Sequence, residues 1–243
     1  MEKGSFKESI KKGFRIEAII IATGLLLLGS CLQSGIKYFT QGQRLVSVKG
    51  LAEMQVDANE VTWPLLYKML SNDLAGAYTD IDTTNGIIIE FLKANGIKSE
   101  DISVSAAGVT DMDADRYSQN RSEYRYLITS VVTVSTSEVE KVRALIKRQV
   151  ELIKMGVPLA ADDYRSSVSY RFTDLNKIKP EMVEEATKNA RMSAQKFADD
   201  SDSSLGKIKR AYQGQFSISD KDANTPYIKT VRVVNTVDYF LKD

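Results

Sequence analysis

Arg44 to Met69 reads RLVSVKGLAEMQVDANEVTWPLLYKM, and its periodicity sets the fold class. Apolar and polar residues alternate from Arg44 to Lys49, the period of a strand with one wet face, and Gly50 is expected to turn the chain. Met54, Val56 and Ala58 hold even positions, whereas Val61, Trp63, Leu65, Tyr67 and Met69 hold odd ones. A shift of one residue moves a side chain to the other face of a sheet. The change of phase at Asn59-Glu60 is therefore read as a bulge or kink within a long second strand. Pro64 has no N–H to give a ladder, so this part is expected at an edge or a bulge.

Downstream, Asn72 is placed as an N-cap, and Leu74, Tyr78, Ile81, Ile88, Phe91 and Leu92 recur at helical spacing to Ala94. Asn95-Gly96 supplies the stop. Asp101 to Val109 reads as a third strand, Asp111 to Arg121 as a charged loop, and Tyr124 to Ser135 as a further strand. Ser137 and Glu140 have the spacing of a capping box. The helix behind it carries Val139, Val142, Ile146, Val150 and Ile153 on one face and ends at Gly156. Tyr164, Val168, Tyr170 and Phe172 alternate as a strand. The next helix spans Leu175 to Asp199, regular from Lys179 with Pro180 in its first turn, and turns Val183, Ala186, Ala190, Ala194 and Phe197 inward. Two strands close the chain, Leu205 to Ser219 and Tyr227 to Leu241, joined by a turn at Asp220 to Asn224. The order ββα ββα βα ββ indicates an α+β domain, mostly antiparallel, with helices packed on the sheet. There is also a weak internal echo. Each of the first two helices ends in Gly followed by Ile97 or Val157.

Upstream lies IEAIIIATGLLLLGSCLQSGI, Ile16 to Ile36. At about 1.5 Å per residue it forms a helix close to the thickness of a bilayer core. It is apolar on every face and uncharged from Ala18 to Leu32, so lipid is its expected solvent. Lys3, Lys7, Lys11, Lys12 and Arg15 precede it, while only Lys37 and Arg44 follow closely. That bias keeps residues 1–15 cytoplasmic and exports the rest. The segment is read as an uncleaved transmembrane helix. The competing fates are a cleaved signal peptide and a lipoprotein signal, with Leu28-Gly29-Ser30-Cys31 as the lipobox and Cys31 as the acylated residue.

Composition narrows the chemistry. The 33 basic and 32 acidic residues nearly cancel, which argues against a nucleic-acid partner. There is no His, and the one Cys lies in the apolar segment. Imidazole catalysis, thiol nucleophiles and the usual zinc sites are thereby excluded from the exported part. Asp111-x-Asp113-x-Asp115 has the spacing of a calcium-loop start. Arg116 and Ser122 stand where such a loop needs Gly and Glu, so a solvated acidic loop is the preferred reading. Asp162-Asp163, Glu184-Glu185 and Asp199-Asp200 are adjacent pairs, poorly placed for shared acid–base work. No nucleotide-binding motif is present. No catalytic, cofactor or metal residue is expected. Trp63 with Tyr67 and Tyr124 with Tyr126 are weighed as an aromatic ligand platform, but core or subunit-contact packing is the preferred reading, so all four stand as candidate subunit or partner contacts.

The chain resembles the SIMPL-domain family, whose bacterial members include YggE-like periplasmic proteins. The residues that carry the resemblance are Val46-Ser47-Val48-Lys49-Gly50 with Val56-Asp57-Ala58, Asn95-Gly96-Ile97 with Asp101-Ile102, and Tyr124-Arg125-Tyr126 leading to Val132-Thr133-Val134. To these are added Ala186, Ala190 and Ala194 before Leu205-Gly206-Lys207-Ile208, and finally Val231 to Val237. The resemblance implies an α+β fold, a cell-envelope location, homo-oligomers and a link to envelope stress tolerance, with no enzymatic residues to transfer. The expected organisation is a cytoplasmic segment 1–15, a transmembrane signal-anchor helix 16–36, a linker 37–43 and a SIMPL-like extracytoplasmic domain 44–243. The expected setting is the inner membrane, single-pass, with the C-terminal domain in the periplasm. The expected function is a non-enzymatic envelope scaffold that self-assembles. The alternatives are a monomeric binding module for a protein or peptide partner and an acylated lipoprotein form of the same domain.

Overall fold

The alternation that begins at Leu45 produces two strands in two different sheets. A computed structural model describes residues 20–36, 44–114, 123–160 and 163–242. Strand β1 is Leu45–Asp57 and β2 is Glu60–Ser71. Gly50 does not turn the chain but lies inside β1. A Cβ there would stand 1.9 Å from the Ala186 carbonyl oxygen and 2.4 Å from the Ala190 amide nitrogen. The glycine is required by the close approach of a helix backbone. The phase change at Asn59-Glu60 is likewise not a bulge within one strand. It marks the point where the chain leaves one sheet for the other. Asn59 holds that corner: its amide donates to Arg171 O at 2.9 Å, and its Oδ1 accepts from the Thr173 amide at 2.9 Å.

The remaining elements are α1 (residues 20–36), α2 (Leu74–Ala94), β3 (Ile102–Val104), β4 (Gly108–Asp111), β5 (Tyr126–Thr136), α3 (Val139–Ile146), α4 (Val150–Lys154), β6 (Ser169–Arg171), α5 (Leu175–Asp200), β7 (Ser204–Gln213), β8 (Ser217–Asp220) and β9 (Ile228–Lys242). One sheet has the order β1-β9-β7, with β8 also on β9. The other has the order β3-β5-β2-β6, with β4 also on β5. The described registers are all antiparallel. The α+β class therefore stands, but the strands form two sheets rather than one, and several expected elements are divided.

The described chain divides into two compact units. One comprises Lys49–Ala190 with Tyr212–Thr236. The other comprises the residues up to Val48, Arg191–Ala211 and those from Val237 onward. In the first, Val61, Trp63, Leu65 and Tyr67 on one face of β2 pack with Ile88, Phe91 and Leu92 of α2, Val132 and Val134 of β5, and Val142 and Leu145 of α3. A smaller cluster joins Ala52, Met182, Ala186, Val231 and Val233. In the second unit Val48, Ala194, Ala198, Val237 and Tyr239 are buried. Small residues on the inner stripe of α5 follow from its closeness to the sheet, although Phe197, expected on that stripe, is exposed.

Several boundaries differ from expectation, each for a local reason. Asp73, not Asn72, caps α2, accepting from the Ala75 amide at 3.0 Å. Asn72 instead accepts from the Arg125 amide at 2.8 Å and donates to Glu123 O. The Asp101–Val109 strand is two short strands, both on β5. The Ser137–Glu140 capping box does not form: Glu138 takes the N-cap position with no side-chain cap bond, its carboxylate pairing with Lys141 instead, and Glu140 pairs with Arg143. The helix behind it breaks at residues 147–149, where the amides of Arg148 and Gln149 reach back only three residues. That tightening turns the face, so Leu152 is buried while Val150 and Ile153 are exposed. The Tyr164–Phe172 strand is reduced to β6 behind a 3-10 turn at Tyr164–Ser166 that Asp163 caps. Helix α5 begins at Leu175, so Pro180 lies inside it. The Leu205–Ser219 strand is divided into β7 and β8.

The internal echo has a structural basis. Gly96 and Gly156 both adopt positive φ, 83° and 89°. Each donates to a carbonyl three residues back, and the following Ile97 and Val157 amides donate to Leu92 O and Leu152 O, both at 3.0 Å. This is the Schellman stop, made twice, with both apolar followers in the same core.

Candidate functional site

Three of the four aromatic candidates are organised by β2 and β5. Trp63 and Tyr67 lie on the inward face of β2, 2% and 0% exposed. They are core residues. The Tyr67 hydroxyl lies 2.9 Å from Asn85 Oδ1 and 3.1 Å from Ile81 O, and Ser130 Oγ donates to the same Asn85 oxygen at 3.2 Å. Burial pushes the Tyr67 phenol above its ordinary value, with the Ser130 hydrogen bond opposing and the Asp82 charge adding to it. Tyr126 begins β5, half-buried, with the Arg125 guanidinium 5.1 Å from its ring centre. Tyr124 is exposed.

Asp111 and Asp163 are engaged locally. Arg125 Nη2 donates to Asp111 Oδ2 at 2.9 Å, and the Asp113 amide donates to Asp111 Oδ1 at 3.1 Å. The Arg125 hydrogen bond holds the Asp111 carboxyl below its usual range. Asp115, the third member of that pattern, lies outside the described residues, as does Asp162. Asp163 accepts from the Arg165 side chain at 3.0 and 2.9 Å and pairs with Lys68 at 3.1 Å. The Arg165 side chain first, then its amide, holds Asp163 well below the carboxylate range. Glu184, Glu185, Asp199 and Asp200 face solvent. Among the described residues, no group of three or more His, Cys, Asp or Glu comes together to hold a metal ion.

Two features were not legible as a site in the sequence. The first is a stack: the Arg143 guanidinium lies 3.4 Å from the centre of the Tyr227 ring, and Tyr170 meets that ring edge-on at 6.1 Å. The Ala58 amide donates to Tyr227 O at 2.8 Å, which ties the stack to the corner between sheets. The second is a cavity of about 260 Å³ at the outer edge of β2, lined by Trp63, Leu65, Ile146, Ile153 and Val168 among others. Strand β6 covers Glu60–Thr62 on that side, and an isolated bridge joins Tyr67 to Leu159. Pro64 falls between them and pairs with Thr133 of β5, in a strand that is interior to its sheet rather than at the expected edge. The final strand β9 is likewise interior to its sheet, between β1 and β7. It is therefore no free edge for pairing with another chain.

Residues of the expected anchor within 20–36 are helical and exposed, Cys31 included. Residues 16–19 lie outside the described residues. Among the described residues, no helix is long and apolar enough to cross a membrane.

Two antiparallel sheets, a small-residue helix against one of them and the paired Schellman stops define an α+β fold. The SIMPL family, described as a protein of unknown function (DUF541), matches residues 46–238, and the chain belongs to that family. No curated protein matches the chain.

Proposed function

We propose that this is a non-enzymatic SIMPL protein, held at the inner membrane by an uncleaved N-terminal helix, that self-associates in the periplasm as an envelope scaffold linked to stress tolerance. The observation that carries the reading is α1. Ile20, Ile21, Leu25, Leu26, Leu27, Leu28 and Leu32 are each more than half exposed around its whole circumference. A helix apolar on all sides needs a non-aqueous cover, and the uncharged run continues toward Ala18. Self-association is supported by outward apolar side chains such as Leu51, Ile218 and Tyr124. The absence of His from the sequence and the local pairing of Asp111, Asp163 and Asp174 support a non-enzymatic role.

The test has two arms. A C-terminal reporter enzyme that works only outside the cytosol should be active in membrane fractions, and activity only of a cytosolic reporter would overturn the orientation. Light scattering on the detergent-solubilised full chain should give a mass of several protomers, whereas a strict monomer would remove the scaffold.

A further inference from the structure

We propose that Asn95 is a site of spontaneous deamidation, and that the Arg148 side chain sets its rate by holding the Asn95 amide against the end of α2. This goes beyond the anchored scaffold and does not depend on it.

The chain holds two Asn-Gly pairs, Asn85-Gly86 and Asn95-Gly96, and α2 carries the first and ends at the second. In such a pair the glycine amide nitrogen attacks the asparagine Cγ. The N–Cγ bond forms, the Cγ–Nδ2 bond breaks, and the amide proton leaves with Nδ2 as ammonia. The resulting five-membered succinimide takes up water and opens to aspartate or isoaspartate. Glycine has no side chain to obstruct the attack. Ring closure needs three things: a free glycine N–H, a free asparagine amide, and a glycine nitrogen nearly eclipsed with the asparagine Cβ.

The fold withholds all three at Asn95. The Gly96 amide donates to Lys93 O at 2.9 Å. Asn95 Nδ2 donates to Phe91 O at 2.8 Å, and Oδ1 accepts from Arg148 Nη1 at 2.8 Å. At ψ 13° the Gly96 nitrogen is turned well away from the Asn95 Cβ. Rotating it into place breaks the Gly96–Lys93 and Ile97–Leu92 hydrogen bonds that make the stop. The reaction therefore needs the stop to open, and Arg148 resists the opening. Its guanidinium is fixed for that task by Glu151, which accepts from Nε at 2.8 Å and from Nη2 at 2.9 Å. A guanidinium on Oδ1 also polarises the amide carbonyl, but that has no effect while the nitrogen cannot reach Cγ.

What separates the two pairs is how far the fold must open. Asn85 is 8% exposed, and its Oδ1 is shared by the Tyr67 and Ser130 hydroxyls. Gly86 lies well inside α2, where its amide belongs to the helix ladder. Asn95 is half-buried at a helix end and Gly96 is exposed, and helix ends open at lower cost than interiors. Asn95 is thus the pair that reacts in the folded chain. The product loses the donor to Phe91 O and puts a negative charge at the C-terminal end of α2, where the helix dipole disfavours it.

Trypsin releases the two sites on separate peptides, residues 69–93 and 94–98. The experiment incubates the detergent-solubilised full chain at mildly alkaline pH, with and without denaturing urea, and follows the mass gain at each asparagine by fragmentation. In urea both should react at similar rates. In the folded chain Asn95 should react more slowly than in urea, and Asn85 more slowly still. Arg148→Ala should speed Asn95 about tenfold, the effect of one lost hydrogen bond, and leave Asn85 unchanged. Glu151→Gln should speed Asn95 by less, through a loosened guanidinium, and serves if Arg148→Ala does not fold. Three results would each overturn the proposal: Asn95 reacting equally fast folded and in urea, Asn85 outpacing Asn95 in the folded chain, or an unchanged Asn95 rate in whichever variant folds. Acceleration of both asparagines by one factor would assign Arg148 to global stability and overturn it as well.

Discussion

Gly50 and Asp163 show how much a single residue carries. A methyl group at position 50 must displace backbone atoms of α5 rather than a flexible side chain. Gly50→Ala should therefore cost about 1–3 kcal/mol, read as a lower urea midpoint at unchanged slope. Asp163 works through charge. Its carboxyl is held low by Arg165 and Lys68, so it binds a proton less readily folded than unfolded. A depressed folded value gives stability that is complete above the ordinary carboxylate range, near pH 4, and lost as pH falls toward the folded value. Asp163→Asn should remove that part of the acid dependence, so urea midpoints between about pH 6 and about pH 3 should fall less steeply in the variant than in the parent.

At the scale of elements, the helix ends separate the signals that act from those that only match a pattern. Asp73→Ala should cost about 1 kcal/mol by removing the cap of α2. Ser137→Ala should be neutral within about 0.5 kcal/mol, because Ser137 makes no cap. A loss from Ser137→Ala as large as that from Asp73→Ala in the same chemical melts would contradict this assignment. The two Schellman stops permit a cleaner measurement. Nothing lies within 4 Å of a Cβ built at Gly156, so Gly156→Ala should cost about 1 kcal/mol from positive φ alone. Here the sequence was informative. Gly96 and Gly156 each followed an apolar helical repeat and preceded one apolar residue, a local pattern with a local cause. The capping box failed because Ser-x-x-Glu says nothing about whether Glu140 will find Arg143 first.

At the scale of the whole molecule the fate of the N-terminus decides the biology. If the helix is retained, the intact mass should match the 27.1 kDa of the full chain. Loss of residues 1–30 with an acyl adduct on Cys31 would convert the reading to a lipoprotein, and loss of the segment without an adduct would convert it to an exported soluble domain. Mass spectrometry of the purified membrane-fraction protein distinguishes the three. The aromatic candidates were only partly legible. Trp63 and Tyr67 had the period of a buried face and are buried. Nothing local marked Tyr227, whose partners Arg143 and Tyr170 lie far away in sequence.

By itself the sequence determined the α+β class, the order of most elements, the buried faces of β2, β9 and much of α2, and both glycine stops. Each of these depends on a period of two or nearly four residues, or on the backbone freedom of one residue. Only the tertiary structure decided that the change of phase at Asn59 divides two sheets, that Gly50 makes room for α5, and that the Arg143 guanidinium stacks on the Tyr227 ring. Those depend on which distant segment lies alongside, and the pairing of strands is settled by long-range packing that no short stretch encodes.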